Sequence, residues 1–282
     1  MYTLIVENKY GQQLELTHNP AYEISNIDGI DPPDAVMNTT HNAGFDGSVF
    51  NSSYMDNRTI TITLCINSPA EENRINLYRY LKSKFPVKVM YRNEHRDVYI
   101  NGYVQSLQIA FFNKKETVQI VIFCPLPCFN GAEDSVQEMS SIEPLFEFPF
   151  SIAEEGVPFS ELVIGQEKSI INNGDVETGV LITVHAYGNV STPKIYNVDT
   201  NEFMIFDVDM VEGDEITINT RQGEKSVRMN HEGTVTNIIG KMRYGSSWFL
   251  LKPGDNIFTT AADDGVENML VTFTIINQYE GV

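Results

Sequence analysis

The sequence predicts a mainly β protein in two units. The first is an N-terminal β-sandwich or barrel-like domain with one α-helix, and the second is an antiparallel β-sandwich. Three observations predict it. From Arg58 to Phe129 the chain reads as strand, helix, hairpin strands, strand and proline-rich exit. From Val180 onward, short runs rich in β-branched and aromatic residues recur between turn residues, and no helical period competes. Formal charge is split unevenly: residues 1–132 carry −2 and residues 133–282 carry −17 of the total −19, as expected of two units with different surroundings.

Tyr2–Val6 and Gln13–Leu16 read as a hairpin turning near Lys9-Tyr10-Gly11. Ser25–Asn57 then loses periodicity and reads as a long loop, rich in Gly, Pro and small polar residues. It also holds Val36, Phe45, Val49, Phe50, Tyr54 and Met55, too many apolar groups for a linker. A long loop in a compact domain is usually functional or disordered, and with so many apolar groups these six residues are a candidate contact with another chain.

At Arg58 the pattern sharpens. Ile60, Ile62, Leu64 and Ile66 alternate with Thr59, Thr61, Thr63 and Cys65, the period of a half-buried strand. A helix over about 69–85 follows, with Ser68 as N-cap, Pro69 at the first position and Glu71 closing a capping box. Leu77, Tyr78, Leu81 and Phe85 share its apolar face, and Pro86 stops it. Val87–Tyr91 and Val98–Val104 form one hairpin, and Leu107–Phe112 and Thr117–Cys124 another around Asn113-Lys114-Lys115. The last strand is apolar on both faces and is expected at the centre of its sheet.

An acidic linker is read over 133–143, and Leu145–Phe150 as an edge strand weakened by Pro149. The strands expected beyond it are Val180–Tyr187, Pro193–Asn197, Glu202–Val208, Asp214–Asn219, Ser226–Asn230, Trp248–Leu251 and Met269–Ile276. A turn at Gly223 joins two of them.

Arg58–Phe129 resembles the N-terminal domain of bacteriophage distal tail proteins, siphophage-type tail components that act as baseplate hubs. Asn172–Asn197, Val211–Val227, Ser246–Thr259 and Thr274–Val282 resemble the same family's C-terminal region, in the same order. The resemblance implies domains at 1–132 and 144–282, the first ring-forming and the second galectin-like. It implies a structural, non-enzymatic hub: a homohexameric ring at the tail tip of a phage or phage-derived particle, assembled in the bacterial host cytoplasm. Its partners would be itself and other tail-tip, tail-tube and receptor-binding proteins.

Motifs for chemistry are missing. The five histidines form no metal-ligand pair such as HExxH, and there is no GxSxG elbow, phosphate loop or GxGxxG fingerprint. Asp207-Val208-Asp209 and Asp263-Asp264-Gly265 lack calcium-loop spacing and read as solvated turns. The adjacent carboxylates Glu154 and Glu155 define no glycosidase geometry. Cys65, Cys124 and Cys128 are an odd number, read as reduced thiols. No cofactor, metal or catalytic residue is expected. The acidic second half disfavours nucleic acid, no apolar run is long enough to span a membrane, and the first residues do not read as a secretory signal.

A second reading is a carbohydrate-binding module of a virion or secreted protein. Against it, His18-Asn19-Pro20 lies in the wrong half for a galectin sugar site, and Phe249-Leu250-Leu251 follows Trp248 where Glu and Arg are needed. Trp248 reads as a core or edge aromatic.

Overall fold

The computed structural model describes residues 2–44, 46–110, 115–139, 142–144, 160–162 and 167–282. It is mainly β and divides into two compact units. The first comprises Met1–Ala132 with Gln278–Val282, and the second Glu133–Asn277. The second unit is thus an insertion: the last five residues, expected with the sandwich, return to the first unit.

In the first unit β1 (Thr3–Asn8) and β2 (Gln13–Glu15) form the expected hairpin. Asn8 makes the turn, its Oδ1 accepting the Tyr10 and Gln12 amides, while Gly11 takes φ +75°. β3 (Tyr22–Asp28) pairs with β6 (Arg58–Ile66) through a bulge between Ile24 and Asn26. Between them lie β4 (Ala35–Thr40) and β5 (Val49–Met55). Ser25–Asn57 is therefore not a loop but the end of one strand and a complete hairpin. Its short side chains pair across the ladder, so no hydrophobic alternation announced it. Gly29 starts the excursion at φ +83°, where a Cβ would stand 2.1 Å from the Thr59 carbonyl oxygen.

Helix α1 spans Ala70–Tyr80. It is shorter than 69–85 at both ends, for two reasons. Pro69 itself occupies the cap position and no side chain caps the helix, so Ser68 lies one residue too early for the expected capping box. At the other end the sheet claims the chain: Lys84, at φ +70°, donates its N–H to the Val104 carbonyl, and Val104 donates to that of Phe85. Leu77 and Leu81 are buried as expected, but Tyr78 is exposed.

Pro86 opens β7 (Pro86–Arg92) rather than closing the helix. β8 (Asp97–Ala110) fuses two expected strands across a bulge between Val104 and Ser106. Phe111–Lys114, expected as strand end and turn, lie outside the described residues. β9 (Glu116–Cys124) is central between β8 and β6, with one face buried and the other mostly half-covered. β10 (Phe129–Gly131) pairs with β8 and with the C-terminal strand Gln278–Tyr279. The main path runs β2-β1-β7-β8-β9-β6-β3. Alternate residues of these strands enter one core with Leu77 and Phe129, so the sheet curls around a single buried face, barrel-like as the sequence predicts.

In the second unit β11 (Ser135–Met139) occupies residues expected as linker. It pairs with the strand at Met269–Ile275, because a regular ladder satisfies its backbone groups. β12 (Ile142–Pro144) and β13 (Ser160–Leu162) pair with each other. The expected strand Leu145–Phe150, and Glu154 and Glu155, lie outside the described residues. There follow β14 (Lys168–Asn172), β15 (Thr178–Ala186), β16 (Val190–Ser191), β17 (Lys194–Asn197), β18 (Glu202–Ile205), β19 (Asp209–Met210), β20 (Glu215–Asn219), β21 (Ser226–His231), β22 (Thr234–Asn237), β23 (Leu250–Leu251), β24 (Gly254–Ala261), β25 (Met269–Ile275) and β26 (Gln278–Tyr279), the last belonging to the first unit.

One sheet runs β11-β25-β15-β20-β21-β22, with β23 on β15; a second runs β14-β24-β17-β18. Both face one core. Phe258 of β24 meets Phe273 of β25 at 4.9 Å between ring centroids, and Phe249 meets Phe258 edge-on at 5.3 Å. Each buried Phe is worth roughly 1.5–3 kcal/mol, so this aromatic row holds the sandwich together.

Candidate functional site: an open hairpin on a clamped base

The β4–β5 hairpin carries five of the six residues singled out from the sequence; the sixth, Phe45, lies outside the described residues. Among the described residues it pairs with no other strand. Cross-strand hydrogen bonds from Asn38 to Ser52 (3.0 Å) and from Asn51 to Thr40 (2.6 Å) hold it. Register then sorts the apolar side chains. Val36 lies opposite Tyr54 and Thr40 opposite Val49; Ala35 faces Met55 and, past a bulge, Thr39 faces Phe50. Successive side chains alternate between faces, so Val36, Val49 and Tyr54 share one face while Met37, Phe50 and Met55 share the other.

Both faces are open. Met37, Val49, Phe50 and Tyr54 are 60%, 54%, 59% and 54% exposed. Only Met55 is half-buried. A lone two-stranded hairpin is marginally stable in water, and this one exposes apolar side chains on both of its faces.

The base of the hairpin is held by a residue the sequence reading passed over. Arg58 is 4% exposed. Its guanidinium donates to the carbonyls of Gly29 and Asp31, where the chain departs for the hairpin, and to those of Pro127 and Glu280. It also stacks over Phe129, 4.8 Å from the ring centroid. Desolvation pulls its pKa below the ordinary arginine value, and the four carbonyl dipoles stand in for lost water. Arg96 repeats the arrangement, donating to the Gly281 carbonyl and lying over Tyr279. The Val282 amide bonds Ile30. The C-terminal residues are thus strapped against the Gly29–Asp31 segment that leads into the hairpin. A signal was present: period two puts Arg58 on the face of Ile60, Ile62 and Leu64, and a buried arginine must find partners.

The other candidates resolve into local structure. Cys124 and Cys128 are buried, and burial pushes the Cys124 thiol up to about 11, which keeps it protonated and unreactive. The acidic runs pair with nearby bases: Asp207 with Arg243, and Asp263 with Lys194, which holds its carboxyl below the usual value. His185 packs edge-on against Tyr187. Among the described residues no group of three or more His, Cys, Asp or Glu could hold a metal ion. Trp248 packs on the second core with Lys225 over its ring, while His18, Asn19 and Pro20 belong to the first unit.

This combination of a curled sheet with an outlying hairpin and an inserted sandwich defines a class. Residues 9–124 match the family described as phage tail protein RIFT-related domain, and residues 173–275 match the siphovirus-type tail component, C-terminal domain. The chain is a siphovirus-type phage tail component. It belongs to the distal tail protein family.

Among solved structures it is similar to SPP1 Dit, described as a paradigm of hub adsorption apparatus in phages infecting Gram-positive bacteria. The TM-score is 0.70 at 13% identity, over 99% of each chain. It is also similar to chains of the phage P2 baseplate in its activated conformation, with Sr (TM-score 0.53, 13% identity) and with Ca (0.51, 12%), over 100% of each chain. At these identities the likeness is one of fold. No curated protein matches the chain.

Proposed function

We propose that this protein is the structural hub of a phage or phage-derived tail tip. In this reading six copies close into a ring that joins the tail tube to receptor-binding or baseplate components. The observation that carries it is the β4–β5 hairpin, apolar on both faces and open along its length, in a chain of the distal tail family. Such a hairpin on each copy reaches a different patch on the next. A heterologous contact that closes makes a ring. The function is geometric and non-catalytic.

Charge supports a division of labour. The near-neutral first 132 residues suit close packing between copies, whereas the acidic remainder suits outward projection, where like charges separate. The galectin-like sandwich would offer the surface that other tail proteins grip. The protein would be assembled with the particle in the host cytoplasm and carried in the virion.

Electron microscopy of tail particles decorated with antibody against the second unit tests the reading. Label confined to the tail tip is expected. Label along the tube, or absent from purified particles, would overturn it.

A further inference from the structure

We propose that the groove across the ends of β1 and β7 and the middle of β8 is the seat for the β4–β5 hairpin of a second copy of this chain. The proposal rests on the reading of the hairpin as a subunit contact and goes beyond it by naming the acceptor.

The groove has a volume of about 430 Å³, and its lining includes Lys9, Gly11, Val87, Lys88, Tyr103 and Leu126. Its size falls in the ~300–1,000 Å³ range of pockets that accept ligand-sized groups. Of its lining residues, Tyr103 and Leu126 are 48% and 53% exposed. Gly102 contributes backbone to the lining from the buried face of β8. A Cβ at that position would come within 2.8 Å of the Phe123 carbonyl oxygen and of Ile122.

Three observations make a second copy the occupant. The first is charge. Residues 29–57, which hold the hairpin, contain four Asp and no Lys, Arg or Glu. The groove is lined by two bases, Lys9 and Lys88, against one acid, Glu7, and residues 81–92, which run through its wall at Pro86–Lys88, hold Lys82, Lys84, Lys88 and Arg92 and no acid. Opposite patches steer association and fix register, and here both patches lie on one chain.

The second is topology. In the order β2-β1-β7-β8-β9-β6-β3, the hairpin leaves from the β6–β3 flank while the groove lies over β1, β7 and β8 toward the other. Donor and acceptor are therefore different patches, as a head-to-tail contact requires.

The third is level. Asn8 pairs with Val87, Val87 with Gly102, Tyr103 with Phe123, and Arg58 with Cys124. Hairpin base and groove thus sit at the same level of the sheet. A contact between patches at one level adds little climb per copy, which favours closure over an open filament.

Mixing two variants of the full chain tests the pairing by native mass spectrometry. One variant carries Phe50→Ser and Tyr54→Ser in the hairpin, the other Tyr103→Asp and Leu126→Asp in the groove. All four positions are exposed, and unchanged thermal melts confirm folding. Each variant alone should be monomeric where the wild type is oligomeric. Their mixture should give a 1:1 dimer and nothing larger, because one intact hairpin and one intact groove remain. As an independent arm, Lys9→Glu with Lys88→Glu should weaken association at least ~10-fold, and adding copies with Asp34→Lys and Asp56→Lys should recover it.

A groove variant that assembles like the wild type, while the hairpin variant does not, overturns the groove assignment and leaves the hairpin reading standing. A wild-type chain that stays monomeric up to its solubility limit, or a hairpin variant that assembles normally, overturns both.

Discussion

Replacing Arg58 by Met keeps most of the hydrocarbon stem and removes the guanidinium. In the native protein that group satisfies four backbone carbonyls, at Gly29, Asp31, Pro127 and Glu280, and covers one face of Phe129. A buried acceptor left without a donor costs roughly 1–3 kcal/mol; here Gly29, Pro127 and Glu280 are half-buried and Asp31 is exposed. Taking the low end for all four, because the chain termini can relax toward water, gives a loss of about 4 kcal/mol. That is a large part of the ~5–15 kcal/mol that holds a domain folded. The loss should be local in kind: the Gly29–Asp31 segment and the last five residues lose their common anchor. Urea unfolding followed by probes in each unit, since two units need not unfold as one transition, should show the first unit destabilised by about 4 kcal/mol and the second unchanged. Hydrogen exchange should show Gln278–Val282 losing protection first. If Arg58→Met shifts the first unit by less than ~0.5 kcal/mol, or leaves the tail protected, the clamp does not hold the hairpin base.

Four further outcomes are expected. Gly29→Ala forces a Cβ to 2.1 Å from the Thr59 carbonyl oxygen at φ +83° and should destabilise the first unit by at least ~2 kcal/mol, read in the same urea experiment. Cys124, its thiol pushed up to about 11 by burial, should resist a thiol-specific reagent at pH 8 in the native protein and react promptly in denaturant; rapid native labelling at this position would contradict that environment. The His231 imidazole pairs with the buried Asp214 carboxylate at 2.7 Å, which raises its pKa. Its stabilising contribution is therefore fully present below the unfolded value near 6.5 and is lost as pH rises through the higher folded value. Thermal melts of wild type and His231→Gln should diverge at acid pH and converge at alkaline pH; parallel profiles would show the pair contributes nothing. Finally, Phe50→Ser with Tyr54→Ser should leave melting of the isolated chain within ~0.5 kcal/mol while weakening self-association measured by sedimentation.

The strands legible in the sequence were those with one wet face and one dry face. β6 and β15 show period two because one face packs on a core. β4 and β5 do not, since both faces are open and their ladder is carried by Asn, Ser and Thr. The apolar residues between Ser25 and Asn57 were legible from composition alone, but their exposure on both faces of a hairpin was not. β24 was hidden behind the turn at Pro253-Gly254, from which it starts directly. The helix ends were misread because tertiary hydrogen bonds at Lys84 and Val104 outweigh a favourable helical sequence. The return of the C-terminus was illegible for a different reason. Tyr279 pairs with Phe129 across a separation of 150 residues, and no local pattern encodes a partner that distant. What could have been suspected is Arg58, a charge in register with a buried face.

Native mass spectrometry of the full-length wild-type chain tests the central claim most directly. The account predicts a closed species of six copies. A monomer at every accessible concentration, or an open-ended ladder of sizes with no closed ring, would contradict it.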